Sequence, residues 1–301
     1  MTETAQVIQT KVLIVGAGPA GLGVSLALKH AGVIDQIVVD SRDVGAAFRA
    51  WPKGMALLTP SFFSNSFGLT DLNSIDPITS PADYLKTQHP KGADYANYLQ
   101  AVVQLHSLPV QTGVTVVSVN KGDSQFRVET SEGIYIAEYV IWAAGQFFYP
   151  GDRDFTGAEH AQHSSIVEDW SQLEGENFTV IGGYESGVDA ALNLINSGKT
   201  VRLISRGEPW ASDHPDPSQS LSPRTLDRLR DLLKNPEKAQ RLELIKNTTI
   251  SSIEHGDGFW ILRDQDDIPL ASSTRPILAN GFSSGLGIVT ELFEHDRHNL
   301  P

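Results

Sequence analysis

The sequence predicts an α/β fold with two nested three-layer domains, and three observations carry that prediction. The apolar run at 12–15 (VLIV) meets glycines spaced G-x-G-x-x-G at Gly16, Gly18 and Gly21. The run at 177–181 (NFTVI) meets a related turn, Gly182, Gly183, Tyr184, Glu185, Ser186 and Gly187. Each turn leads into an apolar helical stretch and then into a second short strand with a polar residue at its end.

In the first unit, residues 22–28 read as a helix. Gly16 permits the tight turn, Gly18 lets backbone approach a pyrophosphate, and Gly21 lets helix and strand pack closely. The helix N-terminus adds unpaired N–H groups and a partial positive charge. The next strand, 36–39 (QIVV), ends in Asp40, 22 residues past Gly18, where a carboxylate accepts hydrogen bonds from ribose hydroxyls. This is a Rossmann-like dinucleotide unit, with Gly16, Gly18, Pro19, Ala20, Gly21 and Asp40 as candidate contacts.

Composition removes several classes of function. The chain of 301 residues holds no cysteine, so it forms no disulfide framework, thiolate metal site or dithiol relay. A net charge of −13 argues against a nucleic-acid face, which needs a basic patch. No run approaches the roughly 18 apolar residues of a membrane span. The first ten residues lack the charged start and apolar core of a signal peptide, so a cytoplasmic location is expected.

Residues 51–72 form a long irregular stretch in which Pro52, Gly54 and Pro60 break helices and Phe62, Phe63 and Phe67 need burial. Such a segment is a candidate wall for a bound ligand. Residues 90–106 read as a helix burying Tyr95, Tyr98, Leu99, Val102 and Val103. Residues 114–119, 125–130, 133–137 and 139–142 read as a small antiparallel β piece. It ends at Ala143, Ala144 and Gly145, small residues that let backbone pass close to a ligand. Tyr149, Pro150 and Gly151 mark a boundary. The expected domains are therefore 1–150 together with 275–301, and 151–274.

In the second unit a helix at 188–197 is closed by Gly198. The next strand, 200–204, ends in Ser205 and Arg206 where the first unit has Asp40. A carboxylate repels a 2′-phosphate, whereas a serine and an arginine accept one. The first unit thus suits a dinucleotide with a free ribose and the second suits NADP(H), through Gly182, Gly183, Tyr184, Glu185, Ser186, Gly187, Ser205 and Arg206. Tyr184 in place of the middle glycine, and the charge of Glu185, weaken the second fit. Further on, 226–233 and 237–244 read as helices separated by Pro236, and 248–254 with 259–263 as a hairpin. Residues 277–279 read as a last buried strand, followed by Asn280 and Gly281 much as the first unit closes at Gly145. His160 and His163 have no metal-ligand spacing and read as surface or linker residues, so no metal is expected.

This pattern, over nearly the whole chain, resembles the two-dinucleotide-binding-domain flavoproteins, and most of all the small bacterial members of the flavin-containing monooxygenase group. VGAGPAGLG at 15–23 is similar to that family's FAD motif, and GAAF at 45–48 to its GGxW turn. VIWAAG at 140–145 and ILANGF at 277–282 look like its two hinges, and VIGGYESGVDAA at 180–191 like its NADPH motif. The resemblance implies FAD in the first domain and NADP(H) in the second. It adds Ser41, Arg42, Ala47, Phe48, Trp51, Val117, Ala144 and Gly145 to the expected contacts with FAD, Val117 near the adenine. Three features depart from the family. Its F-x-G-x-x-x-H signature finds Phe155 and Gly157 but then Ala161, with His160 and His163 out of register. Its flavin-side asparagine has no counterpart at 58–61 (LTPS), Asn65 lying further on. Its later G-D segment has no counterpart before Pro301, from which incomplete FAD binding is one expectation.

The resemblance implies an FAD- and NADPH-dependent oxidoreductase of the monooxygenase type acting on a small soft nucleophile, a sulfur or an amine, with no side chain singled out as catalytic acid or base. Two alternatives stand beside it. One is a cysteine-free, NADPH-dependent flavin reductase for a disulfide, quinone or carrier. The other is a truncated, non-catalytic dinucleotide-binding protein. The expected partner is a small-molecule substrate, without nucleic acid or membrane, and a homodimer is compatible with the sequence.

Overall fold

The computed structural model of the chain describes residues 6–62, 71–151, 154–214, 216 and 219–295. They fall into two compact units, Met1–Ala50 with Thr59–Tyr149 and Ser284–Pro301, and Trp51–Leu58 with Pro150–Ser283.

The first unit contains strands β1 (Val7–Val15), β2 (Gln36–Asp40), β3 (Val110–Thr112), β4 (Val116–Lys121), β5 (Phe126–Thr130) and β6 (Gly133–Trp142) in one sheet, ordered β3-β2-β1-β6-β5-β4. β1 lies parallel to β2 and β6, and β4, β5 and β6 form an antiparallel meander. The second half of β1 is buried at Val12, Leu13, Ile14 and Val15, so it reads as a continuous apolar run, not an alternation. The antiparallel piece expected from sequence is therefore an extension of the parallel sheet through β6. Residues 133–142, expected as two strands, are one, because pairing with β1 continues past the exposed Glu138 from Thr10↔Ala137 to Val12↔Tyr139.

Helices α1 (Pro19–His30), α2 (Ala46–Arg49), α3 (Pro81–Leu85) and α4 (Gly92–His106) complete this unit. α4 buries Tyr95, Tyr98, Leu99, Val102 and Val103, the stripe its spacing implied. Its tyrosines clamp segment 71–80. Tyr95 donates to the Asn73 carbonyl at 2.8 Å, and the Tyr98 hydroxyl lies 3.0 Å from Thr79 Oγ1. Burial pushes both phenols up, which suits packing and not proton transfer. Two fully buried carboxylates in the same segment are satisfied internally. Asp71 accepts from Ser80 Oγ at 2.6 Å, and Asp76 lies 2.7 Å from His106 Nε2.

The second unit contains β7 (Gln162–His163), β8 (Asn177–Ile181), β9 (Thr200–Ile204), β10 (Leu242–Ile245), β11 (Ile250–Gly256), β12 (Phe259–Asp264), β13 (Pro269–Ser272) and β14 (Ile277–Leu278). A parallel sheet runs β10-β9-β8-β14-β7, and β11-β12-β13 form an antiparallel sheet. Helices α5 (Glu185–Asn196), α6 (Pro223–Leu233) and α7 (Pro236–Ala239) belong to it. Val188, Leu192 and Ile195 of α5 and Leu229 and Leu232 of α6 share a core with Trp170, Phe178 and Val180.

Four expectations change. Residues 237–244 are not a helix: α7 stops at Ala239, and β10 follows because Leu242 and Leu244 pack on the core as a parallel partner of β9. β14 pairs with β7 and β8, so the second unit keeps residues 275–283, which the sequence reading placed with 1–150. His163 is buried, not a surface residue, with Nε2 2.9 Å from the Gly281 carbonyl oxygen. The irregular stretch 51–72 divides. Trp51–Leu58 lies in the second unit, where Lys53 Nζ meets Asp169 Oδ2 at 2.9 Å, and Phe62 is half-buried in the first. Phe63, Asn65 and Phe67 lie outside the described residues. No helix among the described residues is long and apolar enough to cross a membrane.

Candidate functional site

The two glycine turns are built alike, bond for bond. Gly16 N donates to the Val39 carbonyl and Gly182 N to the Ile204 carbonyl, each at 2.8 Å. Ala143 N donates to Val15 and Ala279 N to Ile181, again at 2.8 Å. Gly16 has φ +115° and Gly182 has φ +112°, left-handed backbone where a Cβ would overlap the Ala143 and Ala279 carbonyls. A Cβ at Gly21 would overlap the Gly16 carbonyl, and one at Gly187 the Gly182 carbonyl. The packing of the protein itself requires these four glycines.

The middle positions differ in what they require. Gly18 (φ −85°, ψ −177°) and Tyr184 (φ −90°, ψ −164°) are extended N-caps of α1 and α5, a backbone any residue adopts. A Cβ at Gly18 would meet nothing within 4 Å. Nothing in the fold demands glycine there, and the space beside Gly18 at the α1 N-terminus is open.

Around that space, Asp40 at the end of β2 accepts from Ala17 N through Oδ2 at 2.7 Å and from Arg42 N through Oδ1 at 2.8 Å. Each oxygen keeps acceptor capacity for an incoming hydroxyl. The first turn of α1, with Pro19 and Ala20, carries no acidic residue to occupy its positive end. Gly45 N donates to the Ala17 carbonyl at 3.1 Å, which brings the start of α2, with Ala47 and Phe48, to the turn. The Phe48 ring packs edge-on to Tyr95 at 4.8 Å. The Arg42 guanidinium lies 3.7 Å from the centroid of the Phe148 ring. Ala144 and Gly145 follow β6 beside Gly16, whereas Val117 is exposed on edge strand β4, two strands beyond β6. Ser41 is exposed, and Trp51 falls in the second unit. The open cradle, the acid at the strand end and the cation fit the pyrophosphate, ribose and adenosine of a dinucleotide such as FAD.

In the second unit a cleft of about 1040 Å³ opens at the carboxyl ends of its parallel strands. It is lined by the turn Gly182–Gly183–Tyr184–Glu185–Ser186 and by Ser205, Arg206 and Thr248. Ser205 is buried, its N donating to Ile245 at 2.8 Å, while Arg206 is exposed and pairs with no carboxylate among the described residues. Glu208, also on the cleft, pairs with Lys246 Nζ at 2.8 Å. Gly187 lies inside α5, holding the helix against the turn. The donor set, a serine with an unpaired arginine, fits a phosphate monoester such as the 2′-phosphate of NADP(H). Behind it, burial pushes the Asp189 carboxyl up, and Arg228 Nη1 at 2.5 Å opposes that shift.

Sequence reasoning missed Phe148, Thr248 and the segment 219–225. The alternation L-E-L-I at 242–245 is the signal that would have placed Thr248 at the cleft, because strands of a parallel sheet end where ligands bind. Among the described residues no group of three His, Asp or Glu could hold a metal.

Residues 13–301 match the family described as pyridine nucleotide-disulphide oxidoreductase. An uncharacterised oxidoreductase of Geobacillus kaustophilus is 30% identical over 61% of this chain and 51% of its own length. Bacilliredoxin reductase of Bacillus subtilis is 28% identical over 76% of this chain and 64% of its own. The chain thus spans about half to two thirds of these relatives. Among solved structures, bacillithiol disulfide reductase from Staphylococcus aureus has a TM-score of 0.74 at 20% identity, covering 94% of this chain and 79% of that one. A flavin-containing monooxygenase from Stenotrophomonas maltophilia has a TM-score of 0.70 at 19% identity, covering 97% and 84%. At such identities the likeness establishes the fold, two Rossmann-like units in one chain.

Proposed function

The chain belongs to the pyridine nucleotide-disulphide oxidoreductase family, and on that premise we propose that it is an FAD-dependent oxidoreductase drawing electrons from NADPH. The observation that carries this reading is the contrast between two turns of one geometry: an open cradle beside a carboxylate, and a cleft ending in Ser205 and an exposed Arg206. FAD belongs to the unit of β1–β6 and NADP(H) to the unit of β7–β14. The α1 N-terminus and Gly18 receive the pyrophosphate, and Asp40 accepts the ribose hydroxyls. Arg42, backed by Phe148, covers the adenosine end. Ser205 and Arg206 take the 2′-phosphate. Bound FAD would supply the redox chemistry, accepting hydride from NADPH and passing two electrons onward.

The acceptor we favour is dioxygen together with a small sulfur or amine nucleophile. The cysteine-free sequence supports this, since it leaves no dithiol to carry electrons from flavin to a distant substrate, and so does the fold shared with a flavin-containing monooxygenase. A second reading, a reductase working directly from flavin on a disulfide, quinone or carrier, is favoured by the 28% identity to bacilliredoxin reductase. Reconstitution with FAD followed by NADPH oxidation separates them. The first reading expects turnover that consumes oxygen and requires a thioether or amine. Turnover without oxygen on a quinone or disulfide supports the second, and absence of both overturns the enzyme assignment.

A further inference from the structure

Tyr184 and Glu185 occupy the second cradle in a way that has no parallel in the first. The Tyr184 hydroxyl donates to the Ser220 carbonyl at 2.6 Å. Glu185, the first residue of α5, accepts from Ser222 N and from Thr225 Oγ1, the latter at 2.5 Å. Ser222 is the N-cap of α6, its Oγ accepting from Thr225 N at 3.3 Å. One carboxylate therefore lies at the N-termini of α5 and α6 together, in the place where two positive helix ends would otherwise welcome an external anion. The matching residue at the start of α1 is Pro19, and that first turn has no acid.

A pyrophosphate seated at the α5 N-terminus would meet the charge of Glu185 and the tethered ring of Tyr184. The far end of the same cleft has the opposite character. Arg206 has no carboxylate partner among the described residues, and Glu208 is neutralised by Lys246. Attraction for phosphate is thus concentrated at the strand end and withdrawn from the cradle.

We infer that Tyr184 and Glu185 are specificity-determining residues that turn this cleft into a reader of the 2′-phosphoadenosine end of NADP(H), with the pyrophosphate contributing little. The inference rests on the assignment of NADP(H) to this unit. It predicts a ligand ranking that a glycine cradle would not give, and isothermal titration of the whole chain tests it with 2′-AMP, NADP⁺ and NAD⁺. The expected Kd of 2′-AMP lies within about fivefold of that of NADP⁺, with NAD⁺ at least about 30-fold weaker. Tyr184→Gly and Glu185→Gln are each expected to tighten NADP⁺ by about tenfold, the worth of one charge-assisted hydrogen bond regained at a helix N-terminus, and to leave 2′-AMP within about twofold. NADP⁺ binding more than about 30-fold tighter than 2′-AMP, or weakened by both substitutions, overturns the inference while leaving the cofactor assignment intact. Binding of neither NADP⁺ nor 2′-AMP overturns both. The ranking in the unsubstituted chain decides the matter even where a variant folds poorly.

Discussion

Replacing the three glycines of the first cradle by alanine, one at a time, separates what the fold needs from what the ligand needs. At Gly16 the backbone has φ +115° and a methyl would overlap the Ala143 carbonyl. Left-handed backbone costs an alanine roughly 1–2 kcal/mol and overpacking against rigid backbone roughly 1–3, so Gly16→Ala loses about 2–5 kcal/mol. At Gly21 the overlap is with the Gly16 carbonyl, and a loss of about 2–3 kcal/mol is expected. At Gly18 the methyl meets nothing within 4 Å, and the extended backbone suits it. The gain from a less flexible unfolded chain and the loss at an N-cap nearly cancel, leaving Gly18→Ala within about 1 kcal/mol of the parent. For a unit of this size that is a melting shift of roughly 2–4 °C per kcal/mol, so the three variants are well resolved by calorimetry of the flavin-free protein. Only Gly18→Ala should pair a near-parental melting point with lost FAD binding, at least about 30-fold weaker by flavin fluorescence, since the methyl would enter the position proposed for the pyrophosphate. A Gly18→Ala protein that melts as early as Gly16→Ala, or one that keeps parental FAD affinity, would show that Gly18 does not serve the ligand alone.

Other perturbations follow from the same geometry. Asp40→Asn turns an NH2 group toward either Ala17 N or Arg42 N, and an unmet donor there costs about 1–3 kcal/mol; FAD affinity should fall about tenfold or more in equilibrium dialysis. Arg206→Ala should raise the KM for NADPH by about 10- to 100-fold and leave that for NADH within about twofold, in initial-rate kinetics. Arg228→Ala removes the ion pair of the buried Asp189, leaving it Asn193 Nδ2 at 3.0 Å and the charge of Arg224, and should cost about 3 kcal/mol near pH 8 in denaturant titrations. The sign with pH is set by the raised Asp189 group. Above its ordinary value of 3.8 the folded state holds the proton more tightly than the unfolded chain, so stability from this group falls as pH rises through the raised value. Without Arg228 the group rises further, and the defect should shrink at pH 5 and be largely repaired at pH 8 by adding Asp189→Asn.

The parts of the fold legible in the sequence are those where local pattern and tertiary role agree. Residues 12–15 are apolar throughout because β1 lies between two parallel neighbours, and α4 shows its buried stripe because one face meets the core. β10 is hidden in the sequence because four residues of alternation follow directly on a helical turn begun at Pro236, and the parallel partner β9 decides the matter from 41 residues away. β14 is two residues long, and its sheet is settled by pairing with β7 and β8, which no local signal carries. The buried place of His163 likewise depends on a carbonyl 118 residues downstream. At the cradles the glycine spacing announced both turns. What spacing cannot convey is that Gly16 and Gly21 serve packing while Gly18 faces open space, or that Glu185 turns toward the start of α6.

The division of two cofactors between the two turns is tested by anaerobic titration of the FAD-loaded chain with NADPH and, separately, NADH, read as loss of flavin absorbance. NADPH is expected to bleach the flavin at a concentration at least about tenfold lower than NADH, with the preference abolished in Arg206→Ala. Equal bleaching by the two nucleotides, or a preference that survives Arg206→Ala, would contradict it.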